Sequence, residues 1–472
     1  MSTRYSPANN LERKELTIAW CLAHGLVIRP NSPSDSSAVH APVALYPSLF
    51  PSKEFKLALE LQPVFNTLYY KLSQSHEFIK VFEVISKVDE FIEQLYNIYL
   101  TVKEEGFSQP ISLGIHRSDY ILHSSPNAEE AHIKQVEFNT IASSFSSLSS
   151  LTSDLHRYLS KSINHVDPSQ TPDDEALPSN ESMTSIPRGI AKAHQLYGSK
   201  SAVVLMVVQS GERNVFDQRW IEYVLLNNHG VHLIRRTLSE IYNEGKLDPR
   251  TKALMIDGKE ISVTYFRSGY GPRDHPSEKE WEARMLIERS NSIKCPTIAY
   301  QLVGSKKVQQ ILTVPGVLER YISDPQEIEK LRSCFTGIHP LDSSPEGEKA
   351  VKDALENPER YVMKPQREGG GNNIYAQDIP PTLSKLTLSE RSSYILMDLI
   401  QPPPMRNVVL KDGEITEDDV VSELGIYGII IGKGNEEIVN EVGGHLLRTK
   451  GRKTNEGGVA TGYAVLDSPL LF

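Results

Sequence analysis

The sequence predicts a mixed α/β (α+β) protein in which a small doubly wound unit, residues 201–303, stands between a helix-bearing segment, residues 1–200, and an α+β segment, residues 304–472. Three observations predict it. Ala202-Val-Val-Leu-Met-Val-Val208 is an unbroken apolar run of the kind buried on both faces of a parallel sheet. After it, helix and strand patterns alternate: a helix from Gln218 to Asn228, a strand from Val231 to Ile234, a short helix, a strand from Ile261 to Phe266 and a helix from Glu278 to Ser290. From Gly304 onward that alternation stops, and strands near Tyr361, Tyr394 and Val420 mix with helices near Gln309, Glu327 and Lys349.

The remaining elements follow from periodicity and composition. Leu11 to Leu22 carries a short helical pattern, and a Pro/Ser-rich connection runs from Pro30 to Pro47. Phe78, Val81, Phe82, Ile85, Val88, Ile92, Leu95 and Tyr99 recur at helical spacing, which predicts one long amphipathic helix from Phe78 to Leu100. Strands are expected at Ile111–Gly114 and Ile133–Phe138. A Ser-rich run, Ser143 to Ser153, comes next, and the Pro/Asp/Glu/Ser-rich segment Asp167 to Pro187 reads as a surface loop.

Composition narrows the function. Of 472 residues, 39% are hydrophobic and 23% charged, ordinary values for a globular protein with well-buried cores. A net charge of −10 argues against non-specific binding to nucleic acid or membrane, which needs a basic field. Any anionic ligand therefore needs a local basic cluster. Cys21, Cys295 and Cys334 form no Cys-x-x-Cys pair, which suits a reducing compartment. The N-terminal Met-Ser-Thr-Arg-Tyr-Ser-Pro has no apolar signal core, so a cytoplasmic location is expected.

Four stretches carry chemistry. Lys364-Pro-Gln-Arg-Glu-Gly-Gly-Gly-Asn-Asn-Ile-Tyr375 follows an apolar β-like run. Its three glycines let successive backbone N–H groups converge on one anion, Lys364 suits phosphate oxygens, and Glu368 suits Mg²⁺. For the three glycines alone a plain hairpin is the better reading, whereas the flanking charges favour a nucleotide loop; Walker spacing is absent. In Gln135-Val-Glu-Phe-Asn-Thr140, Glu137 and Asn139 share one face of a strand and are hard ligands. Ordinary strand alternation accounts for them too, unless Glu368 is their partner. Gly443 to Gly462 concentrates Arg448, Lys450, Arg452 and Lys453 before paired glycines, either a solvated basic loop or a loop that closes over a ligand. Arg267, leaving a strand of the doubly wound unit, is a carboxylate clamp or a surface pair, and Arg117 invites the same two readings. No Ser/His/Asp, His-Glu-x-x-His or Cys/His signature is present. The chemistry these handles suit is positioning and charge neutralisation.

Taken in order with Glu212-Arg-Asn-Val-Phe-Asp-Gln-Arg219, Tyr265 to Tyr270, Gly304-Ser-Lys-Lys-Val-Gln-Gln310, Ser422-Glu-Leu-Gly425 and His445 to Lys450, these stretches make the chain resemble the eukaryotic glutathione synthetases over nearly its full length. The resemblance implies an ATP-grasp body with an inserted α/β substrate-binding domain, working as a homodimer. It implies ligation of γ-glutamylcysteine to glycine through an acyl phosphate, with ATP as co-substrate and Mg²⁺ as metal. By motif, Glu137, Asn139 and Glu368 match metal ligands. Lys306, Lys364, Gln366, Glu368, Gly369, Gly370, Gly371, Asn372, Asn373, Tyr375, Met397, Asp398, Leu399, Ile400, Glu423, Lys450 and Glu456 match the nucleotide site, together with Glu137. Arg117, Ser144, Glu212, Asn214, Gln218, Arg267, Tyr270, Arg448, Val459 and Ala460 match the substrate site, and Arg448, Lys364 and Lys450 the catalytic cations. Gly369–Gly371 and Gly457–Gly462 are implied to be two lids.

Three departures bear on this. Ala142 stands where relatives often carry Ser, Glu456 where many carry Asp, and Thr461 where Gly-Val-Ala-Ala-Gly is usual. Thr461 adds a hydroxyl and a methyl beside the implied acceptor, so glycine is expected to stay preferred with some tolerance for a slightly larger amine. A ligase for another amine, or a binding protein without turnover, are the competing readings; the complete set of metal and phosphate handles opposes the second.

Overall fold

The structure is a computed structural model that describes residues 7–30, 36–124, 130–163, 176–368, 371–454, 458–459 and 462–472. Gly369, Gly370, Glu456, Gly457, Ala460 and Thr461, and much of the expected loop after Asp167, lie outside the described residues. The mixed α/β class is as expected.

A seven-stranded sheet organises the molecule. Four of its strands matter most: β1 (Ile111–His123), β2 (His132–Asn139), β3 (Glu414–Lys433) and β4 (Glu436–Gly451). Their spatial order is β4-β3-β1-β2, all antiparallel, with Ala464–Asp467, Val43–Ala44 and Met405–Lys411 extending the β4 side. Helices cover both faces. On one face Phe65, Leu68 and Tyr69 of the helix Ser52–Gln74 pack with Tyr120, Phe138, Leu424 and Leu447. On the other, Leu148, Leu151, Leu155 and Leu159 of the helix Ser146–Ile163 pack with Ile115, Tyr427, Ile429 and Leu446. Each such leucine, fully buried, contributes about 1.5–3 kcal/mol.

The second face changes character along its strands. On β1 it reads Leu113, Ile115, then Arg117 and Asp119; on β4, Leu446, then Arg448 and Lys450. Period-two alternation keeps each series on one face, so a hydrophobic core runs directly into a charged surface.

The doubly wound unit has parallel strands Leu233–Arg236, Val203–Val207 and Lys259–Phe266 near the expected places, a further parallel strand Ile293–Cys295 that was not expected, and Leu254–Ile256 and Lys246–Leu247 added antiparallel. A separate antiparallel sheet, ordered Ile338–Pro340, Tyr394–Asp398, Tyr361–Pro365, Ile374–Tyr375, carries Lys364 and Met397.

Several expectations are corrected. The helix drawn from Phe78 to Leu100 is three pieces, His76–Ile79, Phe82–Ile85 and Glu90–Glu105. Asp89 breaks it: its Oδ1 accepts the Ile92 N–H at 3.1 Å and caps a new helix instead of continuing the old one. The apolar spacing survives the break because Phe82, Ile85, Ile92, Leu95 and Tyr99 still reach one core. The Ser-rich run opens the helix Ser146–Ile163, whose leucines outweigh the poor helix propensity of serine. The supposed loop ending at Pro187 contains the start of the helix Ser182–Tyr197, which buries Ile186, Ile190 and Ala193. The strand expected at Val231–Ile234 lies at Leu233–Arg236, and the one expected at Ile111–Gly114 runs on to His123.

Candidate active site

The register of the four sheet strands assembles most of the site. Asn139 pairs with Arg117, and Glu137 with Asp119, across β2 and β1. Asp119 faces Gly425 and Ile121 faces Glu423 across β1 and β3, while Glu423 pairs with Arg448 and Val421 with Lys450 across β3 and β4. Cross-strand partners share a face, so Glu137, Asn139, Arg117, Asp119, Glu423, Arg448 and Lys450 form one charged patch. Gly425 is required here: a Cβ on it would meet Asp119 Oδ1 at 2.7 Å and Arg117 Cδ at 2.8 Å.

That patch is one wall of a cavity of about 630 Å³. The other walls come from separate elements. Lys364, Tyr375 and Met397–Ile400 enter from the four-stranded sheet and its exit loop, and Asn214, Arg267 and Tyr270 from the doubly wound unit. Ala142–Phe145 enter from the turn after β2, and Gly458 and Val459 from the C-terminal loop.

Asp119 is the hub of the sheet wall. Fully buried, it accepts from Arg117 Nε at 2.6 Å and Nη2 at 2.8 Å, from Arg448 Nη2 at 3.1 Å and from Asn139 Nδ2 at 3.0 Å. Burial raises its carboxyl above the usual range, against the pull of Arg117 and Arg448. Arg448 also pairs with Glu423. Asn139 thus spends its N–H donors on Asp119 and the Arg117 carbonyl, which orients its amide oxygen as the remaining acceptor.

A cation stands between the two expected metal carboxylates. Lys306 Nζ lies 2.8 Å from Glu137 Oε2 and 2.9 Å from Glu368 Oε1. Burial raises the Glu368 carboxyl to about 7, against the pull of Lys306, with Glu137 adding repulsion. Burial opposes the charge of Glu137 as well, but Lys306 and Lys364 hold it well below the usual range. Glu137 is the firmer anion, and Glu368 the one whose charge costs most. Lys364 donates to the Val136 carbonyl at 3.1 Å. That carbonyl is placed by a bulge: register shifts between Asp119 and Tyr120, leaving Val136 out of the pairing. Burial lowers Lys364 to about 8, with neighbouring Lys306 adding to the effect.

Arg267 leaves the end of the strand Lys259–Phe266 buried, not exposed as the strand-end reading expects. Its Nη1 donates to buried Asp217 at 3.0 Å, and its Nε, fully buried, has no partner among the described residues. Asp217 also accepts the N–H groups of Phe145 and Ser147, both at 2.9 Å. Those bonds hold a turn in which Ala142 and Phe145 take φ of 52° and 71°, backbone strain of about 1–3 kcal/mol each. The turn aims the Ser144 carbonyl at Arg117 Nη1, 3.3 Å away, and at the Tyr427 hydroxyl. Asn214, 3% exposed, has neither side-chain amide atom bonded among the described residues, which leaves it able to meet a ligand in the cavity.

Not every expected residue lines the cavity. Gln218 lies behind it, its amide oxygen accepting from Arg235. Gln366 is buried a layer back, accepting the Lys307 N–H and donating to the Ser393 carbonyl, both at 2.9 Å. Lys306 reaches the site only through its two carboxylates, and Gly371 and Asn372 are not among the lining residues. Glu212 does line it, and caps the Asn214 N–H at 2.7 Å. Asp119, Asp217 and Arg213 belong to the site and were not singled out from sequence, whereas Arg452 of the C-terminal basic cluster lines the cavity. Arg117-x-Asp119 on a strand carried a usable signal, since the two side chains must share a face.

A family model described as the ATP binding domain of eukaryotic glutathione synthase matches residues 8–471. The chain is 44% identical to a glutathione synthetase of Dictyostelium discoideum, covering 97% of this chain and 98% of that one. It is 43% identical to a glutathione synthetase of Homo sapiens over 95% and 94%, and 42% identical to a chloroplastic glutathione synthetase of Solanum lycopersicum over 96% and 82%. A glutathione synthetase like-effector from Globodera pallida, in apoform, shares the fold with a TM-score of 0.79 at 24% identity, over 99% of this chain and 98% of that one. The chain belongs to the eukaryotic glutathione synthase family, and it is an ATP-dependent ligase.

Proposed function

We propose that this cleft joins γ-glutamylcysteine to glycine. The observation that carries the reading is the sheet register, which sets Arg117, Arg448, Lys450, Glu137 and Glu423 along one wall facing Lys364 and Arg267. Two carboxylate substrates and a polyphosphate need such a gathering of cations in an acidic protein. Arg267 and Asn214 hold the dipeptide, with Arg117, the Ser144 turn and Tyr270 around it; Gln218 supports Arg235 from behind. Met397–Ile400 receive the adenine, and Lys364 and Lys450 the phosphates, with Lys306 acting from behind through Glu137 and Glu368. A cysteinyl carboxylate oxygen attacks the γ-phosphorus and ADP leaves. The free amine of glycine then attacks the acyl carbon, phosphate leaves and one proton is released. Arg448, held by Asp119 and Glu423, and Lys450 beside it oppose the charge that builds up at both steps.

Mg²⁺ fits the donor set. Among the described residues no three His, Cys, Asp or Glu side chains gather as a metal cluster. Glu137, Glu368 and the Asn139 amide are hard oxygen donors, and the first two already converge on one cation, Lys306. A Mg²⁺ bound by few protein groups and substrate phosphates is the usual arrangement at nucleotide sites. When bound, the ion neutralises phosphate charge. Replacing Glu368 with Gln is expected to abolish Mg·ATP turnover with the fold intact; near-normal turnover sinks its role.

Residues 201–303 serve as the substrate-binding domain within an ATP-grasp body, and the working form is a homodimer. Among the described residues no helix is long and apolar enough to cross a membrane, and a cytoplasmic site of action suits the three free cysteines. The test is ADP release with ATP, Mg²⁺ and γ-glutamylcysteine, comparing glycine, β-alanine, serine and no acceptor. Glycine is expected to lead by about tenfold or more in kcat/KM, about 1.4 kcal/mol. Stimulation by another amine moves the reading to an altered ligase.

A further inference from the structure

The break in the expected long helix brings a carboxylate to the base of the glycine-rich loop. Asp89, 8% exposed, uses one oxygen to cap the helix Glu90–Glu105 and the other to accept from Arg367 Nη1 at 2.5 Å. Arg367 immediately precedes Glu368. Its Nη1 also donates to the Gln366 carbonyl at 2.7 Å, and its guanidinium carbon sits 5.8 Å from the ring centre of Phe91. Phe91 follows Asp89 by two residues and packs in the main core with Ile92, Leu95 and Tyr96. The arginine is therefore clamped from two sides by one rigid helix start.

Other restraints act on the far side of this segment. Lys364 is tied to Val136, and Gln366 to Lys307 and Ser393. Glu368 and Gln366 meet the helix Lys306–Leu312, and Arg367, between them, ties the segment to the helix Glu90–Glu105 instead. A carboxylate that must meet a metal and phosphates has to be held to within about half an ångström, and a loop position gains that only from its supporting contacts.

We propose that Asp89 is a positioning residue: through Arg367, and with Phe91, it fixes the backbone that presents Glu368 to the nucleotide site. The proposal rests on the nucleotide role assigned to Glu368 above. A surface ion pair would matter little. Here the carboxylate is buried and shared with a helix cap.

The test separates the cap from the latch. Asp89→Asn and Asp89→Ser both keep a capping side chain but remove the carboxylate that Arg367 needs. Binding of a non-hydrolysable Mg·ATP analogue is expected to weaken about tenfold in each, with KM for ATP rising in parallel. KM for γ-glutamylcysteine should change less than about twofold, and the thermal midpoint less than about 2 °C. Arg367→Gln should match these values, Arg367→Lys should recover most of the loss, and Asp89→Asn with Arg367→Gln should be no worse than either single change. Unchanged analogue binding, equal weakening of both substrates, or additive single effects would each overturn the latch. The binding measurement stands apart from the reaction: a wild-type protein that released no ADP would sink the proposed ligation, while analogue binding would still decide the latch.

Discussion

Two buried aspartates hold the arginines of this site, and they do so differently. Asp119 sits in the middle of the central sheet and gathers side chains only: Arg117, Arg448 and Asn139, all facing the cavity. Asp217 sits on the first turn of the helix Val215–His229 and divides its oxygens between Arg267 and the backbone N–H groups that start the helix Ser146–Ile163. The first carboxylate organises charges that an anionic substrate can also satisfy. The second fastens Arg267 to the skeleton, and no substrate replaces it at the helix start. Charge in the sheet wall is thus exchangeable, whereas at the doubly wound unit it is built into the fold.

The largest effect should come from breaking the built-in hub. Asp217→Ala leaves buried Arg267 and two or more N–H groups unpaired and is expected to cost about 3–5 kcal/mol of stability. Urea denaturation with and without dipeptide measures it. A loss below about 1 kcal/mol, or one that dipeptide restores, erases the distinction drawn between the two hubs. Asp119→Asn keeps shape and should act on rate instead, lowering kcat/KM about a hundredfold, near 2.7 kcal/mol, with part of its thermal destabilisation recovered by Mg·ATP and dipeptide. Equal stability loss with unchanged kinetics would show both aspartates to be structural. Arg267→Ala sharpens the comparison from the other side. Asp217 keeps its backbone donors, so stability should fall by less than for Asp217→Ala, while KM for the dipeptide rises about thirtyfold, near 2 kcal/mol, and KM for ATP less than threefold. Parallel loss of both substrates would reassign Arg267 to the scaffold.

The two hubs also mark where sequence reading succeeds and where it stops. Residues whose placement follows from strand alternation were legible: Glu137 with Asn139 and Arg448 with Lys450 on one face, and Arg267 at the end of a parallel strand. What alternation cannot supply is the partner across the sheet. Asp119 faces Glu137 from a different strand, and only the register, with its bulge at Val136, brings them together. Asp217 was hidden for another reason, because a helix position 72 residues from Phe145 in the chain gives no local sign of capping it. The misdrawn helix from Phe78 to Leu100 had the opposite cause. Its apolar spacing was correct, and the N-capping aspartate inside it was overruled by periodicity. The glycine-rich and C-terminal loops were found by composition, where Gly, Lys and Arg carry meaning without any register.

The smallest effect concerns Lys364, a cation of the site whose charge is adjustable. Arg448 and Arg117 keep their charge at any working pH, whereas burial brings Lys364 down to about 8. Phosphate favours the ammonium form, so ATP binding should raise that value and take up protons above pH 8. Affinity for Mg·ATP is then steady below about pH 7.5 and falls roughly fourfold between pH 7 and 8.5. Stability moves the other way. A lysine whose folded pKa lies below its unfolded value, about 10.4, is a burden when protonated, and that burden lifts as pH rises through 8. Opposite slopes for binding and unfolding in one titration would identify Lys364, and Lys364→Arg should flatten both. A fall in affinity that persists in Lys364→Arg would place the titrating group elsewhere, with Glu368 excluded by sign: its deprotonation strengthens metal binding as pH rises.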